Sequence, residues 1–169
     1  MRRVIGLAVL LFSFGLLASC AAPAQTRGSA DSLLDQLVAL ERSALDRWIR
    51  LDPQGYLDLY APDLTYFDAT TERRVIGVEA MRTRLAPMKD MKPPFSDPRY
   101  ELIDPKVQQH GDVALLTFNL INYGKLSDGA ERELARWNST EVYSRIQGRW
   151  KIIHSHWSYV QAQPKPPSF

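Results

Sequence analysis

The order of the periodicities constrains this chain most: helical patterning comes first, and nearly everything after residue 100 is patterned for β-strand. Over 31–51, Leu33, Leu37, Leu40, Ala44, Trp48 and Leu51 recur every three or four positions, the stripe of a helix with one buried face. Asp31 or Ser32 can cap it. Asp52-Pro53 ends that helix and starts a short second one over about 53–60, since Asp caps and Pro fits the first helical position. Residues 64–67 are β-prone, 73–76 suit a brief strand, and Val78, Met81 and Leu85 mark a third helix that Pro87 ends. The proline-rich stretch 88–98 reads as a loop. Residues 100–109, 113–123, 134–146 and 149–160 are rich in β-branched and aromatic side chains, with His110-Gly111-Asp112, Ser127-Asp128-Gly129 and Gln147-Gly148 as turns between them. Helices followed by an antiparallel meander define an α+β domain.

The N-terminus carries a different signal. Arg2 and Arg3, an apolar run over 4–17 and a small-residue zone form an export signal over 1–19. Its end, Leu17-Ala18-Ser19-Cys20, resembles the lipobox of bacterial lipoproteins, in which the cysteine thiol is acylated and the cysteine becomes the new N-terminus. The chain's one cysteine lies there, so no intrachain disulfide is possible. The resemblance implies an outer-membrane lipoprotein facing the periplasm, anchored to the membrane through Cys20. Cleavage after Ala22-Pro23-Ala24 would instead release a soluble periplasmic or secreted protein. Residues 20–30 read as a flexible tether, 31–161 as the domain and 162–169, with three prolines, as a disordered tail. Removing Arg2 and Arg3 brings Lys plus Arg from 21 to 19, equal to Asp plus Glu at 19. That balance, without a basic stripe, gives no support for nucleic-acid binding.

The element order, the run 56–67 and the C-terminal Gly148-Arg149-Trp150 followed by His154 and His156 resemble the NTF2-like superfamily, most closely its SnoaL-like members and the association (hub) domain of calcium/calmodulin-dependent protein kinase II. The resemblance implies a cone: a curved antiparallel sheet wrapped around three helices, with a pocket at its mouth. Members include isomerases, cyclases, dehydratases, small-ligand binders and oligomerisation modules, so the likeness leaves the activity open. It implies Tyr56, Asn119, Trp137, Glu141 and Trp157 as pocket residues. Basic residues of the hub pocket align with Asn119, Glu141 and Trp157, which argues against a hub-type anion site.

A three-residue turn closing on Gly148 would pair 137 with 157 and 141 with 153, putting Trp137, Ser139, Glu141 and Tyr143 on one face. The opposite face would carry Val142, Trp150, Ile152, His154 and His156, an apolar patch suited to a homodimer or larger homo-oligomer. A two-residue turn would mix the two sets. Glu141 among aromatics is either a general acid or base with a raised pKa or a carboxylate satisfied by a neighbouring Tyr, Trp or Arg. Asp68 is an alternative catalytic acid, or simply a turn residue. His154 and His156 alternate onto one face, but two imidazoles are too few for zinc, so no metal site is expected. Trp48, Tyr56, Tyr60, Tyr66, Trp137 and Trp157 can wall a pocket for a flat or apolar small molecule, or pack as core. No nucleotide, zincin or serine-hydrolase motif occurs in the chain, and no cofactor is expected.

Overall fold

The computed structural model describes residues 27–93 and 95–160. The expected leader, Cys20 and the tail from 162 lie outside the described residues. Helix α1 (Arg27–Trp48) is followed by α2 (Gln54–Leu59), strand β1 (Tyr60–Phe67), the short β2 (Val75–Ile76), α3 (Val78–Leu85) and a 3-10 turn (Ala86–Asp90). Four long strands complete the chain: β3 (Ser96–His110), β4 (Val113–Lys125), β5 (Glu131–Ile146) and β6 (Arg149–Tyr159). They form one curved sheet in the order β2-β1-β6-β5-β4-β3, antiparallel except where β1 runs parallel to β6. This is the expected α+β cone, with the helices packed inside the curve. Helix α1 starts at Arg27, inside the stretch 20–30 that the sequence suggested as tether.

The inner stripe of α1 is Leu33, Leu37, Glu41, Ala44 and Leu45, all buried. An acid therefore stands where the periodicity had suggested Leu40, which is only half-buried. Between the two helices Asp52 accepts a hydrogen bond from the Gln54 N–H at 3.0 Å, supplying the cap that Pro53 cannot. Gly55 lets α2 close on α1, because a Cβ there would stand 2.9 Å from the Ala44 Cα. That approach carries the next residue, Tyr56, into the core.

The last hairpin corrects the expected register. Ile146 pairs with Arg149, so the turn has two residues, Gln147 and Gly148, with φ of 50° and 76° as a type I′ turn demands. Near the turn this brings Trp150 opposite Arg145 and Ile152 opposite Tyr143. Trp150 and Ile152 are core residues, at 5% and 0% exposure, and leave the outward face assigned to them from the sequence. A bulge between Val142 and Tyr143 then restores the expected parity, so Glu141 meets Ser155 and Ser139 meets Trp157. His154 and His156 stay on the outer face, opposite Val142 and Thr140.

Candidate functional site

The cone encloses a cavity of about 110 Å³ lined by Leu45 and Trp48 of α1, Tyr56 of α2, Tyr60 and Tyr66 of β1, Asp68, Leu120 of β4, Trp137 of β5 and Trp157 of β6. Inward positions alternate along the strands, which is why Leu120, Trp137 and Trp157 arrive here while their sequence neighbours face out. Asn119, one of those neighbours, is exposed on the outer face and donates to Asn138 Oδ1 at 2.7 Å. Its expected place in the pocket is taken by Leu120. Three ring pairs meet at steep angles, Trp48 with Tyr56 at 84°, Tyr56 with Trp157 at 85° and Trp137 with Trp157 at 86°, while Tyr56 and Tyr60 stack at 25°. Edge-to-face contacts of this kind fix each ring against its neighbour.

Beneath the rings lies a buried polar layer. Glu141 Oε1 accepts from Ser155 Oγ at 2.9 Å and from Ser139 Oγ at 3.2 Å. Trp157 Nε1 donates to Ser155 Oγ at 3.1 Å, which turns the serine proton toward the carboxyl. Glu141 Oε2 is buried with no hydrogen-bond partner in the structure. Glu41 lies in the same layer, taking hydrogen bonds from Tyr56 at 3.0 Å and from Tyr143. Burial pushes the Glu41 carboxyl up to about 7, against the opposing effect of those two tyrosine hydrogen bonds. Burial and then the nearby Glu41 push Glu141 up as well, with the Ser155 and Ser139 hydroxyls opposing.

Asp68 on the cavity wall behaves oppositely. Burial tends to raise its carboxyl, but hydrogen bonds from Thr70 and Tyr66 and the charge of Arg84 outweigh it and hold the group below the usual carboxylate range. Tyr66 donates at 3.0 Å and Arg84 lies 3.2 Å away.

Of the residues singled out from the sequence, Tyr56, Trp137, Trp157 and Asp68 line the cavity, as do Trp48, Tyr60 and Tyr66. Glu141 sits under the floor at 0% exposure. Sequence reasoning missed Glu41, and it placed Tyr143 on the inner face without giving it a role. The available signal for Glu41 was its spacing, four residues after Leu37 and three before Ala44, inside the apolar stripe. On the outer face His154 Nδ1 lies 2.8 Å from Thr65 Oγ1, and Phe67 packs against His154 and His156. Among the described residues no group of three or more His, Cys, Asp or Glu is placed to hold a metal ion.

The model of the SnoaL-like domain family matches residues 39–162. A Parabacteroides distasonis protein described as a "putative ketosteroid isomerase" is 38% identical, covering 76% of this chain and 89% of its own, with a TM-score of 0.62. The association domain of the C. elegans calcium/calmodulin-dependent protein kinase II is 20% identical, covering 77% of this chain and 98% of its own, with a TM-score of 0.65. A nuclear transport factor 2-like superfamily protein from Salmonella enterica is 16% identical over 82% of this chain and 99% of its own, at a TM-score of 0.62. No curated protein matches the chain. The aromatic-lined cone, its strand order and the family match over residues 39–162 agree, and the chain belongs to the SnoaL-like domain family within the NTF2-like fold.

Proposed function

We propose that the cone binds one small, largely apolar molecule in its cavity, and that the protein acts as a binder rather than a catalyst. The observation that carries this reading is the aromatic-walled cavity itself, concave and mostly apolar, with a few polar groups. At about 110 Å³ it is well below the roughly 300–1,000 Å³ of a drug-sized site, which favours a ligand no larger than a single ring. Glu141 is sealed beneath the floor, which keeps its unpartnered Oε2 from a substrate, and the Asp68 oxygens are already taken up by Tyr66, Thr70 and Arg84.

The likeness to hub domains supports a homodimer or larger assembly as part of this function. Among the described residues no helix is long and apolar enough to cross a membrane, and the proposed attachment to the bacterial envelope rests on acylation of Cys20. Fatty-acid labelling of the wild type but not of Cys20→Ala supports that anchor. Equal labelling, or a mature N-terminus at Gln25, removes it.

A second reading, isomerase-type proton transfer, has one observation in its favour. Asp68 and Glu141 are pushed in opposite directions, as an acid and base pair requires. The identity to the Parabacteroides protein adds to it. Tryptophan fluorescence titrations with single-ring and short-chain compounds separate the readings. A binder gives saturable quenching that Trp137→Ala weakens tenfold or more. Turnover of a ketosteroid that Asp68→Asn lowers about a hundredfold assigns the cavity to catalysis instead.

A further inference from the structure

We infer that the ligand of this cavity is a small organic cation, a quaternary or protonated amine about the size of a trimethylammonium group, held by the ring faces and by the acids beneath them. The inference rests on the reading of the cavity as a small-molecule site and narrows it to one chemical class.

Three features of the cavity point the same way. Its walls carry six electron-rich rings, and its charged liner is an acid, Asp68, whose cationic partner Arg84 lies 3.2 Å away outside the lining. Among the described residues no Lys, Arg or His lines it. Trp48, Tyr56, Trp137 and Trp157 meet near 85° and Tyr60 stacks on Tyr56, so the lining rings lie in more than one plane, which lets an ammonium group among them meet ring faces of different orientation.

The layer under the floor decides between a cation and a neutral apolar guest. Glu141 Oε2 has no partner, and a hydrocarbon placed above it would leave that oxygen as it is. A positive charge among the rings acts on it through a buried interior of low dielectric, where charges interact far more strongly than in water. An anion meets the two acids under the floor and Asp68, and the nearest base, Arg84, is already paired with Asp68 at 3.2 Å. The titratable groups that face Glu141 are Glu41 from α1, Tyr56 from α2, Tyr60 and Tyr66 from β1, and Tyr143 from its own strand. None of these is basic. A bound cation therefore favours loss of one proton from the Glu41 and Glu141 pair to solvent, leaving one carboxylate to balance the guest. No covalent bond forms or breaks apart from that proton's.

Isothermal titration of the full-length protein with three probes of one shape tests this. Choline is the cation, 3,3-dimethylbutan-1-ol its uncharged counterpart and 3,3-dimethylbutanoate the anion. Choline should bind at least tenfold tighter than the alcohol, with the butanoate weakest. Its affinity should rise severalfold from pH 6 to pH 8 with proton release, while the alcohol's stays flat. Glu141→Gln should reduce the pH dependence of choline binding and leave alcohol binding within about twofold. The pH series on the wild type gives the same information if that variant does not fold. Equal or tighter binding of the alcohol overturns the cation and leaves the small-molecule reading standing, and so does a flat choline profile. Preference for the butanoate overturns the charge argument altogether. Binding of none of the three also overturns the inference, and the fluorescence panel then decides whether the cavity binds anything.

Discussion

Strands β5 and β6 carry two chemistries back to back. On the inner face Ser139, Glu141, Tyr143 and Ser155 are at most 3% exposed, and each polar atom but Glu141 Oε2 is matched to a named partner. One residue away on the same strands, Thr140, Val142 and His154 are half-buried and His156 is exposed. Water can replace any partner lost on the outer face. It cannot on the inner one, so a change there is passed from Glu141 to Ser155 and on to Trp157. The same hairpin thus offers a rigid, preorganised site on one side and a tolerant surface on the other.

The largest expected effect breaks the inner network. Glu41→Ala leaves the Tyr56 and Tyr143 hydroxyls buried without an acceptor and should cost about 2–5 kcal/mol in urea unfolding. Thr140→Ala, beside Glu141 but outward, should change stability by no more than about 1 kcal/mol. Similar costs for the two would erase the contrast between the faces.

A smaller effect sharpens the contrast through pH. Glu41 titrates at 4.5 when unfolded and at about 7 in the fold, so the folded state holds the extra proton across that window. Its contribution is therefore full below about pH 4.5 and is lost as pH rises to 7, by up to about 3 kcal/mol. Thermal melts should show stability falling from pH 5 to pH 8 in the wild type and a flatter profile in Glu41→Gln. A wild type that gains stability over this range would show that the inner acids are held ionised.

The smallest effect on the monomer is on the outer face. Val142→Asp should leave the unfolding midpoint within about 1 kcal/mol of wild type yet reduce the mass seen by light scattering at tens of micromolar. An unchanged oligomer would move the interface elsewhere. The loss of Trp150 and Ile152 to the core already makes this face more polar than the sequence suggested. A wild type that is itself monomeric would make it simply the solvent side.

The contrast between faces was only partly legible in the sequence. The four β-prone runs and their glycine turns predicted β3 to β6 within a few residues, because alternation and turn chemistry are local properties. Register is not local. The type I′ turn and the compensating bulge each shift β6 by one residue, and together they return Trp157 and Ser155 to the expected face while moving Trp150 and Ile152 across the sheet. Pattern alone cannot reveal a bulge inside a continuous strand. Asn119 was misplaced for a related reason, since its position came from likeness to the hub rather than from alternation with the inward Phe118 and Leu120. Glu41 escaped notice because an acid interrupting an apolar stripe also reads as the edge of that stripe. Its burial depends on two hydroxyls, one 15 and the other 102 residues away in the chain.

The place of β6 in the sheet has a consequence for how the molecule comes to exist. The last strand lies between β1 and β5, and the Thr65 to His154 contact joins residues 89 apart. A chain emerging N-terminus first has built all three helices and five strands before the strand that unites them arrives. Until then β1 and β5 have no common neighbour, and Glu141 lacks the hydroxyl of Ser155. Loop-closure entropy makes such non-local pairing slow, so the cone should close late and all at once. Delayed closure makes the final eleven-residue strand the step that commits the chain to its shape.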